Sequence, residues 1–406
     1  MSGSERELVR DLARQYVEVC AAPVQEERRR LWRAHNSLRE TRPLIYTRAF
    51  AWSEMPQSKC QCDDPLLRQY EAFFRQHLFW SSLDDDSIFE PWVTVAAAHR
   101  CGDWGVPVER RRTEDERGSW KALYPIRDPE DLAKLQPARH EIDEEATAAR
   151  LARVQDLLGD LIEVDVDRAP AFRVWAADIS THLGYLRGIE HFMLDMMDRP
   201  EWLKEMVGFM SEGIQRAQRQ AEEAGDWGLS AHQNQAMSYA EELDDPAANV
   251  RGVKRRQLWC FMAAQEFTAT SPGQHDEFLL QFQLPILKEF GLTAYGCCED
   301  LTHKIDMVRQ IPNLRRIAVS PMADVAACAA QIGRDYVFSY RPSPTDMVGY
   351  GLDRDHVAGL LRADLKACRD CCVDITLKDV ETVEGDDDRV RQWVKLTREV
   401  IDEVYG

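Results

Sequence analysis

The sequence predicts an α/β protein of the (β/α)8 TIM-barrel class with a helical extension at its N-terminus, residues 1–42 forming the extension and 43–406 the barrel. Three observations predict it. Short β-type runs alternate with stretches of helical length, the pattern of βαβ units on a parallel sheet. Roughly seven or eight such units suit one barrel with insertions. No G-x-G-x-x-G follows a strand and no G-x-x-x-x-G-K occurs, so a nucleotide-binding sheet lacks its fingerprint.

The elements follow in order. Residues 4–40 are polar, rich in Arg and Glu, and read as helix ending before Thr41-Arg42-Pro43. Pro43 to Phe50 reads as a first strand, Leu66 to Phe79 as a helix, and Trp92 to Ala98 as an apolar run. A Gly- and Arg-rich stretch to Arg117 reads as an excursion. Arg127 to Leu132 opens a short helix and Ile142 to Leu158 a longer one. Leu161 to Val166 and Phe172 to Ala176 read as strands, Tyr185 to Met197 and Pro200 to Ala224 as helices. Beyond them the β-type runs are Leu229–His232, Gln257–Met262, Leu292–Cys297, Arg315–Ser320, Tyr336–Tyr340 and Asp374–Leu377. Helical stretches such as Gln274–Phe290, Ala323–Ile332, Asp355–Cys368 and Asp388–Glu403 separate them.

Composition narrows function. A net charge of −19 argues against nucleic acid or an anionic membrane as partner, because both need a basic face. No apolar run approaches the ~20 residues of a membrane span, and the N-terminal residues lack an apolar signal core. A cytoplasmic protein is expected. Eleven cysteines, odd in number and irregularly spaced, read as reduced thiols rather than a secreted disulfide framework.

In a barrel, catalytic residues lie at the C-terminal ends of the strands. Those ends yield His232 and Gln233, Gln265 and Glu266, Tyr295 to Asp300, Ser320 and Asp324, Tyr340-Arg341-Pro342, then Lys378, Asp379 and Glu381. The richest is Tyr295-Gly-Cys-Cys-Glu-Asp300, with two thiols and two carboxylates just past an apolar run. Thiolate and carboxylate are both zinc ligands. The competing reading makes Cys297 and Cys298 small buried hydrophobes. Neighbouring strand residues face opposite ways, so one of the two thiols faces a given cavity. Glu266, one of these thiols, Glu299, Arg341 and Asp379 are expected to converge.

Burial would fit Glu266 or Asp379 for proton donation, and Arg341 suits an anionic group. Trp259 and Tyr295 are candidates to pack on a substrate ring. His232, Gln265 and Lys378 complete the candidate substrate contacts. Cys368-Arg-Asp-Cys371-Cys372 resembles a C-x-x-C half-site with no second pair at zinc-ribbon spacing. Cys60-Gln-Cys62-Asp63-Asp64 reads as a surface loop, Asp84-Asp85-Asp86 as a solvated turn or helix cap, and His191 as structural.

The same residues carry a family resemblance. Tyr295-Gly-Cys-Cys-Glu-Asp-Leu301, Ile311-Pro-Asn-Leu314, Val319-Ser-Pro-Met-Ala-Asp324, Tyr336-Val-Phe-Ser339 and Leu377-Lys-Asp379 resemble the uroporphyrinogen decarboxylase superfamily, in the divergent branch grouped with corrinoid-dependent methyltransferases. Gly184-Tyr-Leu-Arg-Gly-Ile-Glu-His191, with Leu194-Asp195, Asp198-Arg-Pro200 and Trp202, resembles its central helix pair. The resemblance implies a (β/α)8 barrel with the site in its mouth. It also implies transfer of a methyl group from a small O- or N-methylated donor to a corrinoid protein, with zinc activating the leaving group. A homodimer stays open as the assembly.

Two departures matter. The Arg-x-x-Gly-Arg-type signature that grips propionates is replaced by Tyr46-Thr-Arg-Ala-Phe, which disfavours porphyrinogen decarboxylation. The zinc-binding His-x-Cys reads Tyr295-x-Cys297, and the last strand ends in Lys378-Asp379 rather than cysteine. Cys297 carries over as a ligand candidate and the histidine does not. A mixed oxygen and sulfur set of Cys297, Cys298 and Glu299, completed by Glu266 or Asp379, is then the form expected. The alternatives are a decarboxylase or other lyase using Arg341, Lys378 and Asp379 without metal, and a non-catalytic scaffold for a corrinoid or tetrapyrrole protein.

Overall fold

Six parallel strands form the main sheet of the computed structural model, which describes residues 3–48, 50–112 and 120–406. The strands in chain order are β1 (Leu44–Thr47), β2 (Trp92–Ala96), β3 (Glu109–Arg112), β4 (Trp120–Leu123), β5 (Glu163–Asp167), β6 (Trp259–Met262), β7 (Leu292–Tyr295), β8 (Leu314–Val319), β9 (Val337–Tyr340) and β10 (Cys372–Leu377). The main sheet runs β1-β10-β9-β8-β7-β6, β2 pairs with β5 in parallel, and β3 and β4 form an antiparallel hairpin. Ala49 and part of the Arg-rich excursion toward Arg117 lie outside the described residues.

Strands β1, β6, β7, β9 and β10 are buried at every position, as parallel strands covered on both faces must be. Outward side chains of β8, β9 and β10, such as Ile317, Val319, Phe338, Ile375 and Leu377, pack in one core with the helices Arg354–Ala367 and Arg389–Tyr405. Ala294 belongs to an inner cluster with Trp259, Phe261 and Cys297.

The described strands do not close into an eight-stranded ladder. Two expected strands are absent. Phe172–Ala176 contains a short helical turn, Val174–Ala176, and Leu229–His232 a turn at Leu229–Ala231. The second fails as a strand because His232 Nδ1 takes the Trp259 backbone N–H at 3.2 Å, leaving no regular ladder with β6. On the far side of β1, Asp86 accepts from Ile45 N–H and Asp85 from Thr47 N–H, each at 2.8 Å. These carboxylates occupy the edge amides that another strand would bond. Asp84-Asp85-Asp86 is therefore no solvated turn, since Asp85 and Asp86 are buried. Strand β2 alternates buried Val93 and Val95 with exposed Thr94 and Ala96, so one of its faces meets solvent.

The polar N-terminal region is two helices, Gly3–Ala21 and Val24–Asn36, broken at Pro23. The second seats Trp32 against Leu44 and Tyr46 at the N-terminal ends of the strands. Its His35 reaches Asp374 on β10, Nε2 to Oδ2 at 3.1 Å. Arg316 on β8 meets the other Asp374 oxygen at 2.5 Å, and Ser339 and Thr376 donate to it at 3.1 and 3.2 Å. Among the described residues no helix is long and apolar enough to cross a membrane.

Candidate functional site

All six strands of the main sheet end on one side, so residues following β7, β8, β9 and β10 share that rim. The turn after β7 depends on Gly296. Its φ is +95°, and a Cβ there would stand 2.7 Å from Leu301 Cδ1 and 3.2 Å from Ala318 Cβ. The turn sets the two thiols apart: Cys297 is buried and Cys298 exposed.

Lys378, the residue after β10, is buried with its ammonium between them, 2.9 Å from Cys298 Sγ and 3.5 Å from Cys297 Sγ. It also pairs with Asp379, whose Oδ2 stands 3.7 Å from Cys298 Sγ. The two sulfurs are 3.7 Å apart. Arg341, after β9, donates from Nη1 to the Cys297 carbonyl at 2.8 Å. Cys297, Cys298, Lys378, Asp379 and Arg341 are thus one constellation.

Its electrostatics favour a single thiolate. The hydrogen bond from Cys298 holds Cys297 well below the ordinary thiol range, against burial, with Arg341 and Lys378 adding to the effect. Cys298 is pushed up by the same bond and by burial. Burial works against the Lys378 charge, but the Cys297 thiolate, Asp379 and Cys298 outweigh it and raise its pKa.

Glu299 lies elsewhere in function. It is buried, accepting from Ala264 N–H with one oxygen and Cys297 N–H with the other, both at 2.7 Å. Burial pushes its carboxyl up. Its role is to brace the thiol loop. Among the described residues no group of three or more His, Cys, Asp or Glu side chains is placed to hold a metal ion. The set Cys297, Cys298 and Glu299 does not fit zinc. Both Glu299 oxygens are committed to backbone amides, and the Lys378 ammonium fills the cation position between the sulfurs. The Cys368, Cys371 and Cys372 thiols turn to three different partners, Leu365 O, Ala329 O and His35.

The remaining candidates scatter. Glu266 lies in the turn Gln265–Phe267 after β6, accepts from Ser180 Oγ at 2.8 Å and lines a cavity of about 640 Å³ with Thr181, Tyr185, Met193 and Tyr124. Gln265 begins the same turn, half-buried. Tyr295 turns to the helical layer, contacting His275 Nε2 at 2.9 Å and donating to Gln283 Oε1 at 2.8 Å. It packs with the helix instead of facing a ligand, because its position alternates with the inward Ala294. His232 and Trp259 sit at the start of β6, the end opposite the thiols. Trp259 is fully buried with Nε1 donating to Ser238 O at 2.8 Å, so it is core.

Two buried polar residues, one of them beside the thiols, escaped the sequence reading. Gln235 is buried and presents its carboxamide to Cys297, but comes from a loop without a local pattern. Asp178, buried with its carboxyl pushed far up by burial and by Glu266, accepts from the Thr181 N–H and hydroxyl in the first turn of the helix Ser180–Leu186. A carboxylate before a Ser-Thr pair reads locally as a helix start and nothing more.

No family model matches the chain, and no curated protein does. Among solved structures, a methyltransferase from Methanosarcina mazei is similar over 93% of this chain and 98% of that one, with 12% sequence identity and a TM-score of 0.49. A likeness at that level carries no argument about chemistry.

Proposed function

We propose that this chain is a methyl-transfer enzyme. It takes the methyl group of a small O- or N-methylated donor at the rim of the parallel strands and passes it to a corrinoid held by a partner protein in the cytoplasm. The two parallel pieces are read together as a (β/α)8-type barrel opened at two seams, with residues 1–42 as its N-terminal extension. The observation that carries the proposal is the thiolate–ammonium pair of Cys297 and Lys378 beside exposed Cys298 and Asp379 at the C-terminal strand ends.

The corrinoid, when its carrier is docked, supplies the nucleophile. The residues of this chain bind the donor and manage its proton. Arg341 and the half-buried Trp175 border Cys297 and hold the donor, with Phe261 packed behind Trp175, centroids 4.9 Å apart. As the bond from the methyl carbon to oxygen or nitrogen breaks, Lys378 gives a proton from Nζ to the departing atom. The raised pKa keeps Lys378 protonated, and transfer to a departing alkoxide, the stronger base, runs downhill, whereas a phenolate has no such advantage. Asp379 keeps the ammonium directed at the rim.

The test mixes purified protein with methoxylated and N-methylated compounds and a reduced corrinoid protein, following consumption of Co(I). Lys378→Met should lower the rate by roughly 10²–10⁴-fold. Absence of transfer to every corrinoid partner overturns the proposal, and carbon dioxide release from a small carboxylate would establish the lyase. Stoichiometric zinc that disappears in Cys297→Ala would overturn the ammonium-centred site.

A further inference from the structure

Several buried polar atoms around Cys297 have no hydrogen-bond partner. They are Arg341 Nε, Ser320 Oγ, and Nε and Nη1 of Arg316, and the Gln235 carboxamide has the Cys297 sulfur alone among the described residues. All four residues are nearly inaccessible to solvent, at 2, 3, 1 and 1% exposure for Arg341, Gln235, Ser320 and Arg316. A buried donor left unpaired costs about 1–3 kcal/mol, more if charged, so a folded chain seldom keeps several side by side without a use.

They are neighbours. Arg341 N–H bonds the Val319 carbonyl at 3.0 Å, which sets Ser320 beside it, and its guanidinium holds the Cys297 loop. Gln235 faces the Cys297 sulfur. Arg316 spends only Nη2, on Ser339 and Asp374. Charges in this interior are closely balanced: Arg316, Arg341 and Lys378 face Asp374, Asp379 and the Cys297 thiolate, with Glu299 beneath the thiol loop and His35 at the base.

We infer that Arg341, Gln235 and Ser320, with Arg316 beneath, form a receptor for a carboxylate group on the substrate. The donor of the methyl group would therefore be a small carboxylic acid anion with an apolar body, rather than a neutral alcohol, ether or amine. A carboxylate offers two acceptor oxygens, enough to pair Arg341 Nε and the Gln235 NH₂ together. Trp175 and Phe261, packed in the cluster containing Cys297, provide the apolar wall for the rest of the ligand. This rests on the rim being the substrate site, but not on methyl being the group transferred.

The experiment is calorimetric titration of the full chain with benzoate, benzamide and benzyl alcohol, none of which can donate a methyl group. Benzoate should bind at least tenfold more tightly than either neutral isostere. Gln235→Leu should erase most of that preference, and Arg341→Lys should reduce it. Because Arg341 also holds the Cys297 loop, a second readout uses wild type alone. Saturating benzoate places a negative charge near the thiolate, so the pH midpoint of Cys297 alkylation by iodoacetamide, followed by peptide mass, should move upward. Equal binding of all three probes, or an unmoved midpoint with benzoate bound, overturns the carboxylate receptor. Benzoate selectivity without corrinoid methylation would keep the receptor and remove the methyl-transfer reading, and methylation without selectivity would do the reverse.

Discussion

The two ends of the six-stranded sheet both bury charge, and they treat it differently. At the N-terminal end, Asp374 has a partner for each oxygen, with Arg316, Ser339 and Thr376 on one and His35 on the other. Burial opposes its charge, but Arg316 and His35 keep its carboxyl below the usual range. At the C-terminal end one ammonium, Lys378, serves two thiols and Asp379, while Arg341 Nε has no partner and Gln235 meets the Cys297 sulfur. A network whose carboxylate is fully engaged and sealed beneath Trp32 holds strands in place. One that is under-partnered and open through exposed Cys298 is ready to take a ligand. Charge alone does not distinguish a structural network from a reactive one, and neither do unsatisfied donors, since Arg316 Nε and Nη1 are unpaired in the lower network too; the difference is the exposed Cys298 and Asp379 beside the upper one.

The difference breaks most visibly at its lower half. Asp374→Ala leaves the Arg316 guanidinium and the His35 imidazole buried without their carboxylate, and should destabilise the fold by about 3–5 kcal/mol in urea unfolding. The matching change above, Lys378→Met, should cost less, because Asp379 is largely solvated and Cys297 can take up a proton once the buried ammonium is gone, leaving no uncompensated buried charge. It should still raise the pH midpoint of Cys297 alkylation. If both substitutions destabilise equally, the functional contrast between the ends is wrong.

Gly296→Ala probes the joint between fold and site. The positive φ and the Leu301 and Ala318 contacts predict a loss of about 1–3 kcal/mol, together with a displaced thiol loop seen as altered Cys297 alkylation. The smallest effect concerns pH. Burial alone would lower the His35 pKa, but Cys372 and Asp374 raise it from 6.5 to about 9. A folded-state pKa above the unfolded value means protonation stabilises the fold. That contribution is complete below about pH 6.5 and lost as pH rises toward 9. In His35→Gln the decline in stability over that window should flatten, measured by denaturant midpoints.

Much of this was legible from local pattern. Short, largely apolar β-type runs between helical stretches identified the six strands of the main sheet, because a parallel strand is covered on both faces whatever its neighbours are. The residues after β7, β9 and β10 were legible too, since strand ends point to a common rim. Tyr295, His232 and Trp259 were not placed by the same logic. Tyr295 alternates outward with the pleat, and the run containing His232 lost its ladder when the imidazole captured the Trp259 amide.

By itself the sequence determined the alternation of strand and helix, the acidic surface charge, and the cluster of thiol, lysine and arginine at strand ends. Only the tertiary structure decided where the ladder stops and which groups are left unpaired. Asp85 reaches Thr47 across 38 positions, and Lys378 meets Cys297 across 81. Periodicity reports a residue's own face and burial; it carries no information about a carboxylate arriving from a distant turn to take an edge amide. The ammonium that fills the cation position between two sulfurs, and the glutamate held by two amides, arise only when β7 and β10 curl toward each other in the folded chain.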